Sequence, residues 1–386
     1  MRRPVSTVAV ALLLLVGCPG PQIVDAGAAD GAAVDAAGPQ DASTADAFAP
    51  PDAHATDAAA GDHADAAPAE DGGVTLQVLA SYTDTQHAVL SIGDAIYAVD
   101  SANDQVRVFD AVSGAPRSSI AVGRVPGKLA TDGTLLFVVN RMARELGEPY
   151  VSIVDLATEQ VIDTLDVSVK TEGSDPDNYP MTNFPWDACV ADGVLYVDFP
   201  TNAIPDLRPV TIASRTEAVS WAAGSGPGDL RAAGGKVFVV QGRAISNPDD
   251  DALAVYDLAG QLLTTLETGG RLHDLVEAGG KVWVAHAPAS GSGDELVVVD
   301  VDTLARRSVA VGAGPYGLAT HQGRVYVMCQ YAGRVDVVDA TSEQVVEQIA
   351  LDGLSPPVVD ARGIAVTSSG DLVLEAEGMI GLVRQP

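Results

Sequence analysis

A strand-like pair of apolar residues recurs seven times in the second part of the chain, each time shortly after a tight-turn sequence. The pairs are Ile96-Tyr97, Leu136-Phe137, Leu195-Tyr196, Val237-Phe238, Val282-Trp283, Val325-Tyr326 and Leu372-Val373. They are 40 to 59 residues apart, and each unit has room for four short strands. Four short strands in a unit of about 40 to 45 residues are typical of a β-propeller blade. Helical periodicity is absent, which excludes an α-solenoid.

The repeat predicts an all-β fold, a seven-bladed β-propeller over residues 75–386. The last unit holds only three strands before the sequence ends at Pro386. The segment from Thr75 to Tyr82 has the pattern of a further strand and supplies the missing one. Joining strands from both ends of the repeat closes the ring and removes two exposed sheet edges.

One polar position also repeats. The strand after each pair usually ends in aspartate, at Asp110, Asp155, Asp257, Asp300 and Asp339. Ser214 and Arg384 stand at this position in the third and last units.

The sixth unit resembles a known repeat family. The run from Val325 to Asp339, followed by Val345 to Leu351, looks like the YVTN-type β-propeller repeat, and so does the segment from Val311 to Ala319. The resemblance covers about 310 residues and is loose in the third and seventh units. It implies a propeller fold and little about chemistry, since that family includes surface-associated proteins, periplasmic binders and enzyme-like relatives.

Two apparent motifs have structural explanations. Residues 312–317 spell G-x-G-x-x-G, but a strand and a turn follow instead of the helix that a dinucleotide site needs, and Pro315 has no N–H. We therefore interpret this segment as a connector between blades. Cys189 and Cys329 fall on blades three apart in the ring, too far for a disulfide, so we expect both thiols to be buried.

The first 17 residues have the pattern of an export signal. Arg2 and Arg3 precede an apolar stretch at residues 8–17, which is too short to span a bilayer and suits a signal peptide. The sequence Leu15-Val16-Gly17-Cys18 resembles the bacterial lipobox. That resemblance implies cleavage before Cys18, a thioether-linked diacylglycerol on its sulfur and a fatty acid such as palmitate on its new amino group. Pro19 stands where an aspartate would resemble the inner-membrane retention signal, which favours the outer membrane.

Residues 18–74 join this anchor to the repeat. After Cys18 they contain 20 alanines, 11 acidic residues and no lysine or arginine. Such a segment buries little apolar surface and repels itself, so we predict a disordered linker between membrane and propeller.

Composition limits the partners. With 52 acidic and 22 basic residues, the formal net charge is −30. This balance argues against nucleic acid, whose phosphates need a basic face, and against charge-driven adhesion to an anionic membrane. The expected membrane contact is through the acyl chains of Cys18, and the expected partner is an envelope protein or a glycan bound by a monomer.

The register of the inner strands predicts a ligand site at one mouth of the central channel, because seven inner strands converge on the axis. The residues predicted to surround this mouth are His87, Lys128, Trp186, Asp187, Asp229, His273, Asp274, Tyr316 and Arg362. Histidines, aspartates and aromatic side chains in one pocket could bind a metal, a glycan or a small cofactor, or could cap a water-filled channel. The sequence names no cofactor; a divalent cation is compatible with these residues.

Long loops add to the same face. They run from Arg141 to Pro149, Val169 to Pro185, Pro200 to Pro209, Gly242 to Ala252 and Ala285 to Glu295. Acidic and amide side chains on them are Glu145, Glu148, Asp175, Asp177, Asn178, Asp206, Asp249, Asp250, Asp251, Asp294 and Glu295. We expect these side chains to be exposed, either as solvated acidity or as a cation site or docking surface for a basic partner.

Two functional hypotheses remain open. The first is a non-catalytic, membrane-tethered binding or scaffold lipoprotein of the cell envelope. The second is a lactonase- or quinoprotein-like propeller enzyme with its site at the channel mouth, suggested by His87, His273 and the aspartates. No nucleophile–base motif in the sequence supports the enzyme directly.

Overall fold

The structure, a computed structural model, describes residues 74–82, 88–142, 147–166, 185–200, 206–224, 227–242, 251–288 and 294–385. Seven antiparallel sheets form the blades of a seven-bladed β-propeller, which confirms the predicted fold class. The predicted signal peptide (1–17) and, apart from Val74, the predicted lipidated cysteine and linker (18–74) lie outside the described residues. None of the described residues forms a helix long and apolar enough to cross a bilayer.

Blades 1 to 4 follow one another along the chain, each from its inner strand outward. Blade 1 consists of β2 (Val89–Ile92), β3 (Ala95–Asp100), β4 (Gln105–Asp110) and β5 (Pro116–Ala121). Blade 2 consists of β6 (Pro126–Thr131), β7 (Leu135–Asn140), β8 (Pro149–Asp155) and β9 (Gln160–Asp166). Blade 3 consists of β10 (Ala188–Ala191), β11 (Val194–Phe199), β12 (Asp206–Thr211), β13 (Thr216–Glu217) and β14 (Trp221–Ala222), the last two both paired with β12. Blade 4 consists of β15 (Pro227–Ala233), β16 (Lys236–Gln241), β17 (Ala252–Asp257) and β18 (Leu262–Glu267).

Blades 5 to 7 complete the ring. Blade 5 consists of β19 (Gly270–Ala278), β20 (Lys281–Pro288), β21 (Glu295–Asp300) and β22 (Arg306–Ala310). Blade 6 consists of β23 (Pro315–His321), β24 (Arg324–Cys329), β25 (Arg334–Asp339) and β26 (Gln344–Ala350). Blade 7 consists of β27 (Gly363–Val366), β28 (Leu372–Ala376) and β29 (Met379–Arg384), with β1 (Thr75–Ser81) as its outer strand.

The ring closes through this last sheet, as the sequence predicts. β1 pairs antiparallel with β29, from Thr75 opposite Arg384 to Ser81 opposite Met379. The main-chain N–H of Tyr82 adds a hydrogen bond of 2.9 Å to the carbonyl oxygen of Gly378. The last blade therefore combines strands from both ends of the repeat.

The hydrophobic core is divided into layers, one between each pair of neighbouring blades. Seven clusters of buried apolar side chains fill these layers. The layer that closes the ring contains Phe109 of blade 1 and Leu382 of blade 7. Because the middle strands of a blade face such a layer on both sides, they carry apolar residues on both faces. All six residues of β3 are buried, whereas Leu165 is the one buried residue of the outer strand β9.

The repeated aspartates cap turns. The Asp300 carboxylate accepts hydrogen bonds from the main-chain N–H groups of Asp302 and Thr303, and Asp110, Asp155, Asp257 and Asp339 cap the equivalent turns. A short aspartate side chain satisfies such N–H groups well, which explains its recurrence. Each of those aspartates pairs with the first residue of the preceding strand. In blade 3 the residue at this position is Thr211. The prediction of Ser214 for this position is therefore wrong by three residues, because β12 already ends at Thr211 and Ser214 lies in the turn before β13.

Some of the equivalent turns also tie a blade to the one before it. Glu343 of blade 6 has a positive φ of 57° and pairs with Arg307 of blade 5 and, at 2.8 Å, with Lys281. Arg215 of blade 3 has a φ of 56° and pairs with Asp163 of blade 2 at 3.0 Å. The left-handed conformation of the turn residue turns its side chain back over its neighbour, so the turns hold adjacent blades together.

Gly317 occupies an inner-strand position where other blades carry a large polar residue. The equivalent residues of blades 2 to 5 are Lys128, Asp187, Asp229 and Asp274. In blade 6 a Cβ atom would collide with the main-chain carbonyl oxygen of Arg362 in blade 7. Glycine is required here because two backbones approach closely.

We expect Gly317→Ala to lower the free energy of unfolding by about 1–3 kcal/mol, because blades 6 and 7 must move apart. Urea denaturation measures the effect. Gly228→Ala is the matched control, since a Cβ atom at this inner-strand glycine would have its nearest neighbour at an ordinary 3.7 Å. Equal stability of the two variants would show that the close approach of blade 7 imposes no constraint.

Candidate functional site

The channel mouth is the end of the axial cavity at which the inner strands begin. The cavity has a volume of about 980 Å³. It is lined by every predicted ligand-binding residue that the structure describes: Lys128, Trp186, Asp187, Asp229, His273, Asp274, Tyr316 and Arg362. His87 lies outside the described residues. The inner-strand register thus brings these side chains to one place, and ligand binding by them stays a prediction.

Two of the aspartates are bound to main-chain N–H groups. Asp187 accepts hydrogen bonds from the N–H of Ala188 at 2.8 Å and from the N–H of Leu230, in the next blade, at 3.1 Å. Asp274 repeats this arrangement with Leu275 and, in the next blade, Leu318, both at 2.8 Å. Burial raises the pKa of Asp187 to about 6 and also raises that of Asp274. These two carboxylates therefore link blade 3 to blade 4 and blade 5 to blade 6.

The third aspartate forms an ion pair across the channel. Oδ1 of Asp229 in blade 4 lies 2.8 Å from Nζ of Lys128 in blade 2. Burial alone would lower the pKa of Lys128, but the carboxylates of Asp229, Asp187 and Asp274 raise it above its usual value. The lysine is therefore charged at neutral pH and offsets much of the negative charge of the mouth.

Blades 5, 6 and 7 contribute a stacked group. The imidazole of His273 stacks on the Tyr316 ring with a centroid separation of 4.2 Å, and the Arg362 guanidinium carbon lies 5.9 Å from the Tyr316 centroid. Arg362 also donates to Asp360 at 2.6 Å. Burial lowers the pKa of His273 to about 4, so this imidazole is neutral at pH 7.

Blades 2 and 3 contribute a second aromatic contact. The guanidinium carbon of Arg141 lies 3.9 Å from the centroid of the Trp186 ring, and Arg141 is 9% exposed. Burial lowers the pKa of Arg141, whereas Asp229, Asp187, Asp198 and Glu375 act in the opposite direction. A cation and an aromatic face at this distance attract each other.

The second strands carry buried polar residues that were not predicted from the sequence. Buried polar residues near the ends of second strands are Asp100, Asn140, Asp198, His286 and Glu375. Asp198 accepts a hydrogen bond from the N–H of Asp187, and burial raises its pKa well above the usual value. A polar residue at the end of an otherwise apolar second strand was the available sequence signal.

Two loop predictions are wrong. Asp206 begins β12 rather than lying on an exposed loop; it is 9% exposed and accepts a hydrogen bond from Arg208 at 3.1 Å. Asp251 is also 9% exposed and accepts a hydrogen bond from the N–H of Leu272 at 2.9 Å. Both carboxylates are used inside the fold: Asp206 because β12 begins there, and Asp251 because it accepts the hydrogen bond from Leu272 of the next blade.

The described part of the propeller contains two free thiols. Cys189 and Cys329 are buried and free, as predicted, and burial raises the pKa of both thiols. Within the described ranges, no three histidine, cysteine, aspartate or glutamate side chains are arranged to hold a metal ion. In the G-x-G-x-x-G segment, the Gly312 N–H donates to Asp336 and a strand follows, as expected of a connector.

Comparisons with known proteins agree on the fold. No protein-family model and no curated protein sequence match the chain. Among solved structures, hydrazine synthase from Kuenenia stuttgartiensis is similar at 14% identity and a TM-score of 0.60, over 80% of this chain and 96% of that one. A streptogramin B lyase is similar at 10% identity and a TM-score of 0.60, over 81% of this chain and 98% of that one. The WD40 β-propeller domain of Doa1 is similar at 12% identity and a TM-score of 0.56, over 81% of this chain and 97% of that one. At these identities the similarity shows the fold alone.

Proposed function

We propose that the chain is a lipid-anchored, non-catalytic binding protein of the bacterial cell envelope, most simply of the outer membrane, whose propeller binds a polar ligand at the channel mouth. The observation that carries the binding function is the convergence of polar, charged and aromatic side chains from blades 2 to 7 on one cavity. A concave site with a few convergent polar groups is the usual form of a small-ligand site.

The cavity favours a ligand of modest size. Its volume of about 980 Å³ matches pockets that enclose small molecules or the end of a larger chain. Trp186, Tyr316 and Arg362 are partly exposed within it and combine aromatic surface with hydrogen-bond donors. These features suit the end of a glycan better than a flat protein surface, so a glycan is the ligand class we propose.

The hydrogen bonds, ion pairing and burial of the aspartate and cysteine side chains support binding rather than catalysis. Asp187 and Asp274 hold main-chain N–H groups, and Asp229 pairs with Lys128. The Cys189 thiol is buried and its pKa is raised, so its reactive thiolate is disfavoured. These groups stabilise the ring in the arrangement observed.

The proposed location in the cell envelope rests on the sequence alone. The apolar stretch that ends at Cys18 and the acidic linker after it support export, lipidation and a tethered propeller. Two acylation sites on one cysteine would anchor the chain stably, whereas a single acyl chain binds only reversibly.

Binding should depend on the mouth residues. Detergent-purified full-length protein is incubated with polysaccharide fractions of the host envelope, and the retained sugar is measured. We expect the Tyr316→Ala/Arg362→Ala variant to bind at least about tenfold more weakly than wild type, because it removes an aromatic face and a cation from the mouth.

Arg324→Ala is the control for this experiment, because Arg324 pairs with Glu347 on the outer part of blade 6, away from the cavity. It should bind as wild type does. Retention that is equal in all three proteins, or no saccharide retained by wild type, would rule out glycan binding at the mouth. Retention of a protein instead would identify the other partner class.

An enzyme at the same mouth is the alternative. The observation that favours it is the imidazole of His273, which lines the cavity, stacks on the Tyr316 ring and is neutral at pH 7, the state in which a histidine can accept a proton. A stoichiometric metal or a quinone absorption band in the purified protein would favour this alternative. We expect the binding protein to show neither.

A further inference from the structure

The channel mouth contains a cation supplied by the protein itself. The Lys128 side chain extends from blade 2 to Asp229 in blade 4, and its Nζ lies 2.8 Å from the carboxylate. Asp187 of blade 3 and Asp274 of blade 5 line the same cavity, and their charges also act on this ammonium group. One carboxylate, that of Asp229, thus contacts the amine directly, and two more from neighbouring blades line the same cavity and act on it through their charge.

Equivalent positions carry different residues in the neighbouring blades. The equivalent position near the start of the inner strand is lysine in blade 2, aspartate in blades 3, 4 and 5, and Gly317 in blade 6. One long cationic side chain is therefore followed around the ring by three short anionic ones. Asp187 and Asp274 each accept a hydrogen bond from a main-chain N–H group of the next blade, so these two carboxylates are held in place by bonds that do not involve the amine.

The ion pair also spans the most irregular blade. Among the described strands, the outer strand of blade 3 is the one that is divided, into β13 and β14 of two residues each. A contact from Lys128 to Asp229 connects blades 2 and 4 directly, on the axial side of blade 3. The pair is partly buried, and removing one partner leaves an uncompensated charge inside the cavity, which is destabilising.

We propose that Asp187, Asp229 and Asp274 form a binding site for a primary ammonium group, and that Lys128 occupies this site as a built-in ligand that fastens blade 2 to blade 4. We expect the site to prefer an amine to a divalent metal ion, because no three acidic, histidine or cysteine side chains among the described residues are arranged to hold a metal ion. This assignment does not depend on whether the channel mouth also binds a glycan.

Chemical rescue tests the site. Lys128→Ala removes the atoms that n-propylammonium contains, so this ion can replace the missing part of the side chain. We expect the variant to unfold about 5 °C or more below wild type. Propylammonium chloride at tens of millimolar should restore at least half of this loss, because a ligand that binds the folded state stabilises it.

Matched controls separate specific occupancy from salt effects. Tetramethylammonium chloride carries the same charge without N–H donors and should not rescue Lys128→Ala. Lys236→Ala removes a surface lysine whose Nζ contacts the carbonyl oxygen of Gly234, and it should show neither the loss nor the rescue. Equal effects of both salts, or a Lys128→Ala variant as stable as wild type, would overturn the proposal.

If Lys128→Ala gives no folded protein, a double-mutant cycle decides the question. Lys128→Met and Asp229→Asn are measured separately and together by thermal unfolding. We expect the double variant to lose less stability than the two single losses added, because it leaves neither partner of the pair charged. Simple additivity would show that the ion pair does not fasten the blades.

Discussion

Replacing Cys18 by alanine is expected to transfer the protein from the detergent-requiring membrane fraction to the soluble fraction, or to leave it as an uncleaved precursor. Cys18 is the one cysteine among the first 188 residues, and it directly follows the apolar stretch. Several acyl chains bind a bilayer firmly, at about 0.8 kcal/mol for each buried methylene group, so their loss has a large effect. Cell fractionation measures the transfer.

Labelling with an alkynyl fatty acid gives the control. Wild type and Cys329→Ala should both be labelled, since Cys329 is buried in blade 6, whereas Cys18→Ala should not. The circular dichroism of Cys18→Ala should equal that of wild type, because the linker separates this residue from the propeller. Equal labelling of all three proteins, or a membrane-bound protein without any label, would refute the lipoprotein prediction.

Deleting residues 75–81 is expected to cause the largest loss of stability of any change considered. This removes β1, exposes the edge of β29 and uncovers apolar side chains of blade 7 that pack against Leu76. With several apolar side chains uncovered, the loss should be roughly 3–6 kcal/mol, or about 10 °C in the unfolding midpoint. Differential scanning calorimetry measures it.

Deletion of seven linker residues, 55–61, is the matched control, because it shortens the chain equally and leaves β1 intact. This variant should unfold at the same temperature as wild type. If both deletions were equally harmless, β1 would not be the element that closes the ring.

The fold was predictable because its main determinants repeat. Each blade begins with a turn and a buried apolar pair such as Val282-Trp283, and the same local physics applies seven times. The closing strand was predictable by elimination, since the last unit lacked one strand and the segment after Thr75 had no other partner. The aspartates at strand ends repeated for an equally local reason, the capping of a turn.

The candidate site was predictable only as a set of positions. The register places Asp187, Asp229 and Asp274 at one mouth, but does not show that two of them hold main-chain N–H groups while Asp229 pairs with Lys128. Those roles depend on how a neighbouring blade is placed, which is a tertiary property. For the same reason Asp206 and Asp251, which read as exposed loop residues, proved to be buried.

Hydrogen–deuterium exchange tests ligand binding at the channel mouth most directly. The full-length protein is measured with and without solubilised envelope polysaccharide, since a bound ligand slows exchange of the amides that it covers or orders. We predict protection confined to peptides at the start of inner strands, around residues 126–130, 186–190, 272–276 and 315–319, and its loss in Tyr316→Ala/Arg362→Ala. Protection on the outer strands instead, or the same pattern in wild type and the variant, would contradict ligand binding at the channel mouth.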